Sequence, residues 1–143
     1  KEECGAVKRA EKFGIPHCHI NAKEEDKMIQ LFKVWQVDLI VLAGYMRIIK
    51  NPDAFHVPII NVHPSLLPKY KGLHAVEQAM ESGDEETGCT VHYVNEELDG
   101  GEIILQAKVP ILPEDDVTSL TKAIQRQEYA MLPAAIEHVK NSL

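Results

Sequence analysis

The sequence contains no long hydrophobic run and no excess of positive charge. No apolar stretch among its 143 residues approaches the ~20 residues that a membrane-spanning helix needs. The formal net charge is -7, whereas a nucleic-acid-binding surface usually carries a basic stripe. We therefore expect neither a membrane nor a nucleic acid among the partners of this protein.

Cysteine is scarce and shows no pattern. The three cysteines are Cys4, Cys18 and Cys89, and no two of them have CxxC spacing. An odd number without such spacing does not indicate a disulfide framework, so we expect a reduced, cytoplasmic setting. No histidine pair has HExxH spacing, and the sequence therefore predicts no metal site.

Apolar runs alternate with helical patterns along the chain. Asp38–Ala43 and Val57–Val62 are continuous apolar runs, which are typical of strands covered on both faces. Strands that alternate with helices predict parallel pairing, and thus one α/β domain over residues 1–143 with a mostly parallel sheet flanked by helices. The other predicted elements are helices at 3–13, 73–82 and 116–140, a helix capped by Asn21 with Glu24, and strands at 17–20, 88–94 and 103–111.

Two polar side chains end the second apolar run. Asn61 and His63 are two residues apart, so they share one face of the strand, and Pro64 stops the ladder. Open α/β sheets bind their ligands at the carboxyl ends of strands. The alternative is that both side chains only satisfy the turn before Pro64.

Two carboxylates are further candidates. Asp99 precedes two glycines, which alone indicates a hairpin turn, but beside a histidine it would orient the ring and favour its cationic form. Glu128 lies on the apolar stripe of the last helix, near Gln125, and needs a partner unless it lies at an exposed edge. His92 shares a strand face with Thr90, and a core histidine is the simpler interpretation.

Three segments together closely resemble the phosphoribosylglycinamide formyltransferases, a family of folate-dependent enzymes. They are IINVHPSLLPKYKGLH at 59–74, GCTVHYV at 88–94 and ELDGGEIILQ at 97–106. The resemblance covers nearly the whole chain. It implies a Rossmann-like fold and formyl transfer from 10-formyltetrahydrofolate to the amine of glycinamide ribonucleotide in purine biosynthesis. The Gly-rich phosphate loop of the family, G-x-G-S-N, is absent from these residues. We therefore expect a further strand, a Gly/Ser/Asn-rich turn and a helix before Lys1.

The resemblance also implies roles for individual residues. Its catalytic residues are Asn61, His63 and Asp99. Its folate-binding residues are Arg47, Ile48, Ile49, Asn95, Glu96, Glu97 and Leu98. Its residues for the ribonucleotide are Pro64, Gln125 and Glu128. The implied partners are a reduced folate and glycinamide ribonucleotide, without a metal, and a homodimer is compatible with the sequence.

Related enzymes differ at identifiable positions. Formyltetrahydrofolate deformylases usually have a second histidine where this chain has Pro64, and Asp-Glu-Gly where it has Asp-Gly-Gly. Methionyl-tRNA formyltransferases would have alanine at Pro64 and a more basic surface, and sugar-nucleotide formyltransferases are much longer. A non-catalytic folate- or nucleotide-binding remnant is a further alternative. The presence of all three of Asn61, His63 and Asp99 argues against it.

Overall fold

The structure is a computed structural model that describes residues 4–143. The chain divides into two compact units, residues 1–36 and residues 37–143. In the first unit, helix α1 spans Gly5–Lys12 and helix α2 spans Glu25–Val34. Gly14 follows α1 with φ +64°, a left-handed conformation that ends a helix and that glycine adopts readily.

Two predictions for the first unit are wrong. Residues 17–20 form no strand, because no ladder of backbone hydrogen bonds joins them to another segment among the described residues. Asn21 does not cap α2. Its Oδ1 accepts a hydrogen bond from the Lys23 N–H at 3.0 Å, which closes a local turn, and Glu24 occupies the N-cap position instead.

The second unit contains a four-stranded sheet and two helices. The strands are β1 (Ile40–Leu42), β2 (Ile59–His63), β3 (Glu86–Tyr93) and β4 (Ile103–Pro110), and they lie side by side in chain order. Helix α3 (Ala75–Glu81) connects β2 to β3, and helix α4 (Val117–Lys140) follows β4. A short 3-10 helix at Pro52–Phe55 precedes β2.

The α/β class is confirmed, but the sheet is mixed rather than mostly parallel. Only β1 and β2 pair in parallel, while β2–β3 and β3–β4 are antiparallel. The connection at 94–102 is shorter than the dozen or more residues that a parallel crossover needs, so β4 returns beside β3. Apolar runs do not encode strand direction, so the antiparallel pairing of β3 and β4 could not be predicted from them.

One face of the sheet forms the core with α4. Ile60 on β2 and Val91 on β3 face the helix, and burial of each such side chain contributes about 1.5–3 kcal/mol. The N-terminus of α4 is fixed by Asp116 and Ser119, which form a reciprocal capping box. The α4 side chains buried in this core are Leu120, Ile124, Met131, Ala135 and Val139.

The opposite face of the sheet carries polar side chains. Asn61 pairs with His92, and His63 pairs with Thr90, across the β2–β3 ladder. All four therefore project from the face that does not pack on α4. Across residues 4–143, no helix combines the length and apolar character that crossing a membrane requires.

Candidate active site

A carboxylate lies between two imidazole rings at the end of β2. Asp99 Oδ2 is 3.4 Å from His63 Nδ1, and Asp99 Oδ1 is 3.5 Å from His92 Nε2. The side chains of His63, Asp99 and His92 are 6%, 9% and 2% exposed, so solvent screens their interaction only weakly. The Gly72 N–H donates a further hydrogen bond to Asp99 Oδ2 at 2.8 Å. Asp99 therefore lies beside His63, as the catalytic interpretation of the sequence requires.

Asp99 reaches His63 through the connection that follows β3. Because β3 is antiparallel to β2, β3 ends beside the start of β2, where the Val94 N–H donates to Ile59 O at 2.8 Å. The connection at 94–102 then turns back over the sheet towards His63. Asp99 has φ +47°, a conformation that aspartate tolerates better than most residues. A Cβ on Gly101 would lie 1.7 Å from Tyr93 O, so only glycine fits this return.

The ring nitrogens of the two histidines have different hydrogen-bond partners. His63 Nε2 donates to Tyr70 O at 2.7 Å, while Nδ1 faces Asp99, so both ring nitrogens face acceptors and the geometry fits an imidazolium. Burial lowers the pKa of His92, an effect partly offset by its bond to Tyr93 O and by the Asp99 charge. A neutral His92 donates through Nδ1 to Tyr93 O at 2.8 Å and accepts through Nε2 from Asn61 Nδ2 at 3.3 Å.

These groups line a cavity of about 550 Å³ in the second unit. This volume is within the range of small-molecule sites. The residues proposed from the sequence that line the cavity are Arg47, Ile48, Asn61, His63, Pro64, Asn95, Glu97, Leu98, Asp99, Gln125 and Glu128. One cavity therefore collects residues from four separate segments of the chain.

Two residues expected at the site do not line this cavity. Ile49 is 5% exposed and buried, whereas its neighbour Ile48 is 60% exposed and lines the cavity. The two side chains therefore point in different directions, and Ile49 serves packing. Glu96 is exposed in the connection after β3 and lies outside the lining.

Glu128 is an unpaired carboxylate at the wall of the cavity. Burial raises its pKa, and within residues 4–143 no hydrogen bond or ion pair holds it. A cationic or N–H-bearing ligand in the cavity would offset this desolvation. Cys89 is different: burial, and secondarily the charge of Glu128, raises its pKa to about 11. Cys89 is therefore a thiol at neutral pH and a packing residue.

The structure adds groups that the sequence indicated weakly or not at all. His92 is both a core histidine and a member of the site, and the only signal for it was the strand face that it shares with Thr90. His74 also lines the cavity. The Gly72 amide and the Tyr70 carbonyl are backbone groups, which carry no residue signature. Among residues 4–143, no cluster of three or more His, Cys, Asp or Glu is arranged to hold a metal.

Comparison with known proteins relates this architecture to a family. Residues 1–136 match the family model described as formyl transferase. The chain is 50% identical over 119 residues to phosphoribosylglycinamide formyltransferase of Haemophilus influenzae, covering 82% of this chain and 56% of that protein. It is 44% identical over 144 residues to the trifunctional purine biosynthetic protein adenosine-3 of Drosophila melanogaster, covering 94% of this chain but 11% of that protein. The chain thus spans about half of the first relative and about a tenth of the second.

A solved structure shows the same fold. The crystal structure of phosphoribosylglycinamide formyltransferase from Anaplasma phagocytophilum has a TM-score of 0.93 and 39% identity, covering 98% of this chain and 71% of that one. The family model and this structural agreement cover nearly all residues of the chain, including β2, α4 and the segment that carries Asp99. The chain belongs to the formyl transferase family.

Proposed function

We propose that this chain transfers a formyl group from 10-formyltetrahydrofolate to the amine of glycinamide ribonucleotide in purine biosynthesis. The observation that carries the proposal is the Asp99 carboxylate between His63 and His92, with Asn61 beside His92, at the wall of one cavity. This set can stabilise a developing oxyanion and handle a proton, which are the two tasks of acyl transfer to an amine.

The cavity suits a flat, polar-edged ligand such as a reduced folate. Ile48 and Leu98 line it and are 60% and 47% exposed, so two large apolar surfaces are open to water beside the polar site. A pteridine ring would cover these surfaces, and backbone groups of the segments at 45–48 and 94–98 would read its donor–acceptor edge. We assign the folate side of the cavity to Arg47, Ile48, Asn95, Glu97 and Leu98.

Asn61 and His63 are the groups that would stabilise negative charge. The bound donor supplies the formyl carbon, and attack by the acceptor amine creates an oxyanion on the formyl oxygen. One hydrogen of Asn61 Nδ2 is engaged by His92 Nε2, which leaves the second free for that oxyanion. Both N–H groups of a cationic His63 face Tyr70 O and Asp99, so the ring would act on the oxyanion through its positive charge. A hydrogen-bond donor such as Asn61 is worth about 2.7–4 kcal/mol of transition-state stabilisation.

The acceptor amine is assigned to the α4 side of the cavity. Glu128 and Gln125 line that side, and the Glu128 carboxylate can accept an N–H of the amine and hold its lone pair towards the formyl carbon. Pro64 also lines the cavity, and we assign it to the ribonucleotide. The tetrahedral intermediate would then collapse, and the bond between the formyl carbon and N10 of the folate would break. The proton that the amine loses would pass through water beside Asp99 to that nitrogen.

The test is turnover by the polypeptide that carries this chain. Purified protein is supplied with 10-formyltetrahydrofolate and glycinamide ribonucleotide, and the formylated product and the deformylated folate are both quantified. We expect equal amounts of the two products and no folate deformylation when the acceptor is omitted. Deformylation without the acceptor would identify a deformylase, and folate binding without either reaction would identify a binding protein. Either result would exclude the proposed transfer.

A further inference from the structure

The segment from Pro64 to His74, here called the catalytic loop, is tied to the sheet by one buried hydroxyl. Thr90 on β3 is fully buried, and its Oγ1 donates to Ser65 O at 2.7 Å. The same oxygen accepts from the Leu67 N–H at 3.1 Å and from Gln106 Nε2 at 2.9 Å. A hydroxyl donates one hydrogen bond and accepts two. The Thr90 hydroxyl is therefore saturated, and two of its partners belong to the loop backbone.

Gln106 on β4 completes the junction. Its Nε2 donates to Leu67 O at 2.9 Å as well as to Thr90 Oγ1, so both of its amide hydrogens are used. The loop also lies directly on the sheet at Gly88, where an added Cβ would be 2.8 Å from a side-chain carbon of Leu66. Together these contacts determine how far the catalytic loop lies from β3 and which of its residues lie over the strand.

The far part of the same loop holds the two charged groups of the site. Ser65 Oγ donates to Lys69 O at 2.5 Å, which ties the anchored part to the residue before Tyr70. Tyr70 O then accepts from His63 Nε2, and the Gly72 N–H donates to Asp99 Oδ2. The loop thus determines the orientation of the His63 ring on one side and the position of the Asp99 carboxylate on the other.

We propose that the Thr90 hydroxyl, held by Gln106, is the positioning group that keeps the catalytic loop at the height where Tyr70 O and the Gly72 N–H orient His63 and Asp99. Thr90 itself does not line the cavity, so it acts only through the loop. The expected effect on kcat rests on the proposed function. The expected effect on the position of the catalytic loop can be measured without any activity.

Thr90→Val is the variant that tests this role, and Thr87→Val is its matched control. Valine has nearly the shape of threonine but lacks the hydroxyl. Thr87 lies on the same strand, is 1% exposed, and has an Oγ1 without a hydrogen-bond partner among the described residues. It points to the opposite face of the sheet, since it is three residues from Thr90. The same chemical change therefore removes the junction at one position and no hydrogen bond at the other.

Two measurements on these variants separate positioning from simple stability. The first is amide hydrogen exchange, and we expect Thr90→Val to accelerate exchange at Leu67 and also at Gly72, while amides within β3 keep their rates. The second is turnover, where we expect kcat to fall about 10- to 100-fold, the effect of a misplacement of about 1 Å. Thr90→Ser should restore both values to near those of the unmodified protein. Thr87→Val should change neither.

Gln106→Met gives a further test, at an exposed residue of β4. We expect it to accelerate exchange at Gly72 less than Thr90→Val does, because water can replace part of the amide. Its effect should largely disappear in the Thr90→Val background, since both changes act on one junction.

The outcomes distinguish this inference from the proposed function. Exchange that changes at Leu67 but not at Gly72, with kcat unchanged, would show that the loop holds its position without Thr90 and would overturn the inference. Absence of turnover in the unmodified protein would count against the proposed function only. In that case, the exchange at Gly72 still decides whether Thr90 positions the loop.

Discussion

Replacing Asp99 with Asn tests the central electrostatic pairing of the site. The change is nearly isosteric, and the position has φ +47°, which asparagine also tolerates. The Gly72 N–H can still donate to the remaining amide oxygen. The fold and the loop geometry should therefore survive, while the negative charge that lies 3.4 Å from His63 Nδ1 is removed.

The distance and burial determine the expected size of the effect. Two unit charges 3.4 Å apart attract each other by up to about 5 kcal/mol at an effective dielectric constant of about 20. Part of this attraction is retained, because the asparagine oxygen still accepts a hydrogen bond. We expect a loss of about 3–4 kcal/mol in the transition state, which is a fall in kcat of roughly 100- to 1,000-fold.

The assay measures kcat, the pH–rate profile, the affinity for a folate analogue and thermal unfolding for Asp99→Asn beside Glu102→Gln. Glu102 is the last residue of the same connection and is an exposed carboxylate outside the cavity, so its amide variant should behave as the unmodified protein. A folded Asp99→Asn protein with an unchanged kcat would refute the coupling between Asp99 and His63. Asp99 would then be a turn residue only.

Three further predictions concern the walls of the cavity. Glu128→Gln should raise the melting temperature at pH 7 while raising the KM for the acceptor amine. Burial raises the pKa of Glu128, so the ionised carboxylate lowers the free energy of unfolding at pH 7. Below about pH 4.3 the carboxyl group is protonated in both the folded and the unfolded state, and the stability gained from Gln should vanish. Thermal unfolding at two pH values would show this. His92→Phe should lower kcat by about 100-fold, and its effect should not add to that of Asn61→Ala if His92 acts by orienting Asn61; full additivity would disprove this role. A bound folate analogue should slow amide hydrogen exchange in 47–49 and 95–99. If neither segment is protected, the assignment of the folate to this side of the cavity is wrong.

Much of the fold is predictable from local patterns. The apolar runs at Asp38–Ala43 and Val57–Val62 correspond to β1 and β2, and the helix expected at 116–140 is α4. These elements follow from hydrophobic periodicity, which depends only on neighbouring residues. The prediction for Asn21 was wrong for an equally local reason, because its side chain satisfies a turn before any helix begins.

The candidate site depends on contacts that no local pattern contains. The spacing of Asp99 before two glycines alone favoured a hairpin turn over a catalytic role. Only the return of the chain over the sheet brings its carboxylate within 3.4 Å of His63. His92 resembled an ordinary core histidine until the β2–β3 register placed it beside Asn61. The backbone groups of Tyr70 and Gly72 have no side-chain signature at all.

The sequence by itself thus determined which residues could serve the proposed formyl transfer. Asn61 and His63 end a buried strand, Pro64 stops it, and the spacing of two residues places both side chains on one face. Tertiary structure alone decided the direction of β3, the assembly of Asp99 with two histidines, and the anchoring of the catalytic loop by Thr90. The physical reason is that strand direction and loop position arise from hydrogen bonds between residues far apart in the chain, such as the 25 residues that separate Thr90 from Ser65. Such pairings become defined only when the whole sheet forms.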